Sequence, residues 1–173
     1  MEAKSWNIRC SALGSTALWD VCIHDGKIAA VAEDLSGTRA VRTIDATGLL
    51  VTPGLIGVHA HVFFRVNPNS IEATPLAARS GVTTMVDPGS GGAATFDAFR
   101  NFTVAQAQCR VLACLNISIV GTIAKPECGY GLFVDPNLAE QTAVANSDLV
   151  VGIKVRGSPL VYSAIHCTDS MSV

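Results

Sequence analysis

Two of the four histidines in this 173-residue chain, His59 and His61, stand two positions apart. On an extended strand residues i and i+2 project to the same side, so both imidazoles would come within reach of one metal ion, and imidazole nitrogen is a common zinc ligand. The same spacing also fits two ordinary strand histidines, because His-x-His is a short pattern. Lys154 is a second reactive candidate, set in the apolar run LVVGIKVR. An ammonium there loses solvation, so it must be neutralised, be paired, or snorkel into solvent from the strand end. Asp87, Glu127 and Cys128 fall in loops that follow apolar runs and are expected near the same site. Glu127 reads equally well as a solvated loop charge, Cys128 as a packed thiol, and Asp87 with the glycine-rich run 89–92 as a turn. No Lys-Ser/Thr follows those glycines, so a phosphate-binding loop is not supported.

Positioning these residues needs a scaffold, and the texture after Pro53 supplies one. Apolar, strand-like runs fall at 55–62, 82–86, 110–119 and 149–155, with starts separated by 27, 28 and 39 positions. A strand-helix-strand unit needs roughly 30 residues or more, and helices fit between the runs at 70–80, 95–108 and 137–145. Runs such as VLACLNISIV are continuously apolar rather than alternating, as expected for parallel strands buried on both faces. In this layout the histidine pair ends the first strand and Lys154 lies near the end of the fourth. Active sites of (β/α) barrels are built at those carboxyl ends. The first 52 residues read instead as all-β, with strands at 19–24, 27–32, 40–44 and 48–51 and a hairpin turn at Asp25-Gly26.

Composition narrows the function classes. Hydrophobic residues make up 49% and charged residues 15%, so the chain is expected to be packed rather than disordered. Twelve basic against fourteen acidic residues give a net charge of -2 without a basic cluster, which argues against a nucleic-acid partner. Apolar stretches are interrupted before the ~18 residues of a membrane span, so no membrane role is expected. The amino terminus lacks the apolar core of a signal peptide, and the six cysteines form no Cys-x-x-Cys pair. The expectation is a cytoplasmic protein whose cysteines are mostly small core residues.

Taken together, the run LLVTPGLIGVHAHV resembles the first-strand signature of the amidohydrolase superfamily of metal-dependent hydrolases, in which a Pro-Gly turn leads into a strand ending in His-x-His. DVCIHDGKIAAVA and VRTIDATGLLVTPG look like the superfamily's amino-terminal β-sandwich segment, and LAARSGVTTMVDPGSGG is similar to its second helix and strand. LVVGIKVR looks like the fourth-strand segment of the dihydroorotase-like or deacetylase-type subgroup. The resemblance spans roughly residues 20–157. It implies an α/β fold with a partial TIM (β/α) barrel of about four of eight units after a small β-sandwich segment. The implied domains are a sandwich segment over 1–52, the first half of a hydrolase barrel over 53–157 and a divergent tail over 158–173. It further implies metal ligation by His59, His61 and Lys154, the lysine as a carbamate able to bridge two divalent ions, most plausibly Zn2+. Metal-activated water would then attack a small-molecule cyclic or acyl amide, or an ester.

Two departures from the family pattern stand out. Gly57 occupies the place where the signature usually carries an aspartate two residues before the first histidine, which removes a group that could orient the ligands. From Pro53 onward there are 121 residues, against about 250 for an eight-strand barrel. Two later histidines and the acid/base aspartate of the family therefore have no counterpart, so no catalytic residue is assigned in this chain, and His166 is too close to Lys154 to serve as the next ligand. The chain is accordingly expected to be truncated and inactive by itself, with a homo-oligomer possible; the alternative is a non-catalytic interaction or structural module.

Overall fold

The computed structural model of the chain describes residues 5–11, 18–124 and 127–157. It divides the chain into two units, Met1–Pro53 and Gly54–Val173. The expected tail at 158–173, including His166, lies outside the described residues.

The amino-terminal unit contains β1 (Ser5–Ser11), β2 (Leu18–His24), β3 (Lys27–Ala32) and β4 (Arg42–Leu50), in the sheet order β3-β2-β1-β4. Asp25 and Gly26 both adopt positive φ, 48° and 74°, the combination a two-residue hairpin turn requires, and His24 pairs with Lys27 across it. The expected separate strands at 40–44 and 48–51 are one strand. Gly48, at φ 77°, absorbs the irregularity within β4, and the parallel pairing with β1 slips between Arg9 and Ser11. β1 was not expected, although Trp6, Ile8 and Cys10 alternate with Asn7 and Arg9 along it.

The second unit holds the parallel sheet. Its strands β5 (Leu55–Gly57), β6 (Val82–Asp87), β7 (Arg110–Asn116) and β8 (Val150–Lys154) lie side by side in chain order, all parallel. Helices α1 (Ala73–Ser80), α2 (Phe96–Phe99) and α3 (Pro136–Ala145) connect them. Local chemistry sets their ends. Gly81 closes α1 in the left-handed conformation, its N–H donating to Ala77 O, and Asp135 caps α3 by accepting from Leu138 N–H at 2.9 Å, with Pro136 in the first turn.

The single helix expected at 95–108 is composite. A 3-10 turn at Ala93–Thr95 leads into α2, and a π-helical turn at Arg100–Val104 follows, marked by the Ala105 N–H to Arg100 O bond. The extra residue in that turn brings Phe96 and Phe99, then Val104 and Ala107, onto the core while Phe102 faces solvent. The core packs Val62, Phe63, Phe96, Phe99 and Ala139 against Met85, Val111, Ala113 and Leu115 of the central strands.

The first strand of the parallel sheet is much shorter than the expected 55–62. Its pairing with β6 slips between Leu55 and Ile56, and the chain leaves the ladder after Gly57, meeting β6 again through Ala60 N–H to Val86 O. His59 and His61 therefore lie on the loop beyond β5 rather than in a regular strand. Backbone bonds from that loop replace the ladder: Ile71 N–H donates to His61 O and Val62 N–H to Asp87.

Candidate functional site

The candidate residues His59, His61, Asp87, Glu127, Cys128 and Lys154 lie at, or in the loops following, the carboxyl ends of the strands of the second unit. The His59 and His61 rings are neighbours, 5.6 Å between centroids and nearly perpendicular at 85°. His59 is exposed and His61 half-buried. His61 Nδ1 lies 2.7 Å from the Ser90 hydroxyl. Where Nδ1–H donates to that hydroxyl, Nε2 keeps its lone pair, the arrangement by which a hydrogen bond at one ring nitrogen prepares the other for a metal. Burial pushes the His61 pKa below 6.5, opposed by Asp87, reinforced by His59, opposed again by Glu127 and reinforced by Lys154. The neutral ring is the ligating form.

Lys154 is half-buried at the end of β8 and pairs with no carboxylate among the described residues. Its stem crosses the loop after β6 at Gly89. A Cβ on that glycine would stand 2.6 Å from Lys154 Cγ and 2.7 Å from Lys154 Cβ, and the φ of 98° there is one that side chains rarely adopt. Glycine is thus what lets the lysine lie across this loop.

The three remaining candidates differ from one another. Asp87 is fully buried, and its carboxylate is occupied by backbone donors: Val62 N–H at 2.8 Å on Oδ2, and Gly89 and Ser90 N–H at 3.0 and 2.6 Å on Oδ1. Glu127 is not a solvated loop charge. It is 3% exposed, accepts from Arg156 Nη1 at 2.8 Å and from Asn116 Nδ2 at 3.3 Å, and so joins the loop after β7 to the chain leaving β8. Cys128 is buried beside it, its pKa raised chiefly by burial, as for an inert packed thiol. Cys22 is buried as well, and Cys22, Cys109, Cys114 and Cys128 are all free thiols.

Among the described residues no group of three or more His, Cys, Asp or Glu side chains is placed to hold a metal ion. The metal-donor set reduces to two imidazoles and the Lys154 amine. Its chemistry suits a divalent ion: two neighbouring nitrogen ligands, one ring already oriented by a hydroxyl, and an unpaired lysine close enough to affect that ring.

No family model matches the chain. It is 33% identical over 162 residues to a deacetylase of Brucella anthropi, covering 90% of this chain and 40% of that protein. To a dihydroorotase of Streptococcus pneumoniae it is 34% identical over 157 residues, or 88% of this chain and 36% of that one. The crystal structure of a dihydroorotase superposes with a TM-score of 0.75 at 29% identity, over 91% of this chain and 44% of the other. This chain belongs to the amidohydrolase superfamily. Its place there is dihydroorotase-like, and it corresponds to the amino-terminal part of these relatives, spanning about 40% or less of the length of the two curated ones. Among the described residues no helix is long and apolar enough to cross a membrane.

Sequence reasoning missed the residues that tie this candidate site together. Ser90 sat inside a glycine-rich run that read as a turn, and Asn116 inside an apolar strand. Asn116 is fully buried, donates to Gly89 O at 2.9 Å and accepts from Ser118 N–H at 2.9 Å. A polar amide interrupting ten otherwise largely apolar positions was the available signal, since buried polar groups must find partners.

Proposed function

We propose that this chain supplies the first set of ligands and supporting loops of a metal-dependent amidohydrolase. In this reading the parallel sheet is the first four units of a (β/α) barrel and residues 1–52 belong to a small β-sandwich. The substrate is a small molecule with a cyclic or acyl amide C–N bond, or an ester. The observation that carries the proposal is the perpendicular His59 and His61 pair, with Nδ1 of His61 held by Ser90 and with Lys154, which has no carboxylate partner among the described residues, at the end of β8. The deacetylase and dihydroorotase names of the relatives support the same reaction class.

His59 and His61 would hold the first divalent ion, zinc being best suited to imidazole donors, through nitrogens on neighbouring rings. Lys154 is half-buried and has no carboxylate partner among the described residues, and its neutral amine would be the form that reacts with carbon dioxide. Addition of its nitrogen to carbon dioxide with loss of one proton gives a carbamate, whose two oxygens would serve a pair of ions. A bound divalent ion supplies Lewis-acid polarisation of the substrate carbonyl and a water nucleophile near neutral pH. Ser90 fixes the ring of His61, and Gly89 leaves room for the lysine stem.

Zinc titration of the chain in bicarbonate tests this reading. His59→Ala and His61→Ala should each weaken zinc binding by at least about tenfold. A carbamate resonance should grow from 13C-bicarbonate and be missing in Lys154→Ala. Zinc binding of equal affinity in wild type and His61→Ala would overturn it.

A further inference from the structure

Asp87 is fully buried and accepts three hydrogen bonds, and neither metal ligation nor substrate contact accounts for how it is used. Its Oδ2 accepts from Val62, the residue directly after His61, while its Oδ1 accepts from Ser90, whose hydroxyl lies 2.7 Å from His61 Nδ1. The main chain next to His61 and the far side of its ring are therefore referred to one carboxylate. From Asp87 the hydrogen bonds run to Val62 and to Ser90, and Ser90 closes the circuit at the imidazole.

A second tie holds the Ser90 corner from the other side. Thr122 N–H donates to Ser90 O at 3.1 Å, the Asn67 amide bonds the Thr122 hydroxyl, and Asn67 N–H returns to Phe63 O at 3.0 Å. The approach is close enough that Gly121, at φ 67°, has Ser90 O where a Cβ would be. Asn67, Ser90 and Thr122 are all 5% exposed or less.

We propose that Asp87 is the positioning residue of His61, acting through Ser90 and Val62 to fix the ring with its proton on Nδ1 and Nε2 free. The assignment rests on the metal-dependent reading above. A carboxylate suits the task because it presents acceptors only. Three N–H groups converge on it, and an amide in its place would turn an NH2 group towards one of those donors. With three backbone donors already on its two oxygens, Asp87 is committed to the loops rather than to an ion.

The test uses the 173-residue chain with Asp87→Asn, Ser90→Ala and Ser90→Thr. The metal-free chain is read first, above pH 7.5, by 15N-edited NMR of the histidine rings. Wild type should show His61 chiefly as the Nδ1–H tautomer. Ser90→Ala and Asp87→Asn should shift it towards the mixture of a free imidazole, and Ser90→Thr, which keeps the hydroxyl, should restore it. Zinc affinity, measured by competition with a chromophoric chelator, should fall by about 10–100-fold in the first two variants and recover in the third. A tautomer unchanged in both Ser90→Ala and Asp87→Asn overturns the proposal, and Ser90→Ala keeps the test open should Asp87→Asn not fold. Failure of wild type to bind zinc would count against the metal reading alone, because the tautomer is read without metal.

Discussion

The two sheets of this chain have four strands each yet differ in what their side chains bury. In the amino-terminal sheet Ile28 and Val31 of β3 and Leu49 and Leu50 of β4 are all exposed, and the apolar side chains buried among its described residues are Cys22 and Ala46. In the parallel sheet the aromatic rings of Phe63, Phe96 and Phe99 are sealed against the strands. The loops at the strands' carboxyl ends bury Asp87, Ser90, Asn116, Ser118, Thr122 and Glu127. A packed core on one side of the strands lets the same sheet support a cluster of buried polar groups at its ends. Such a cluster tolerates little motion, since each of its members must keep its partner.

Removing core from each sheet should break that contrast most sharply. Phe99 is fully buried, edge-on to Phe63 at 5.3 Å and tilted against Phe96 at 5.7 Å. Phe99→Ala should cost about 3–5 kcal/mol, the range for deleting a buried aromatic ring. Ile28, 69% exposed, should change stability by no more than about 1 kcal/mol when replaced by alanine. Urea unfolding followed by circular dichroism reads both. Equal losses would mean that the second unit does not depend on its aromatic core.

A smaller effect is expected from the polar cluster. Arg156→Ala leaves the buried Glu127 with only the Asn116 amide, and losing a partner of a buried polar group costs about 1–3 kcal/mol. The lower end applies, because the Arg156 side chain is 54% exposed and water can partly replace it. Glu127→Gln in the Arg156→Ala background should recover part of the loss, since the charge that lacked a partner is then gone. A double-mutant cycle on the same urea curves measures the coupling, and strict additivity would show that the pair contributes nothing to the cluster.

Much of this layout could be read from the sequence because it rests on local signals. The Asp25-Gly26 hairpin, the strands of the parallel sheet, and the Asp135-Pro136 start of α3 each carry their own turn or capping chemistry. What escaped was set by contacts between loops far apart in sequence. The early end of β5 follows from a register slip against β6. The π-helical turn after α2 follows from the need to seat Phe96, Phe99, Val104 and Ala107 on one core. For the candidate site, His59, His61 and Lys154 were visible as residue types in telling places. Ser90 was not, because its partner stands 29 positions away. Glu127 was open to either a solvated or a near-site reading until Arg156 and Asn116, 29 and 11 positions distant, were seen to hold it.

The gentlest probe of the difference between the sheets is pH. Burial, the largest influence on His61, holds its folded pKa below 6.5. As pH falls through 6.5 the unfolded chain takes up a proton at this ring before the folded chain does, so the unfolded state is favoured. The stabilisation from keeping His61 neutral is therefore complete above pH 6.5, declines as pH drops towards the folded pKa, and levels off below it. Other groups titrate over neighbouring ranges, so the informative quantity is the difference in Tm between wild type and His61→Gln across pH 5–8. That difference should shrink on acidification. A difference that stays constant would mean that His61 is as well solvated in the folded chain as in the unfolded one, and the loops at the ends of the parallel strands would then be no drier than the open sheet of the amino-terminal unit.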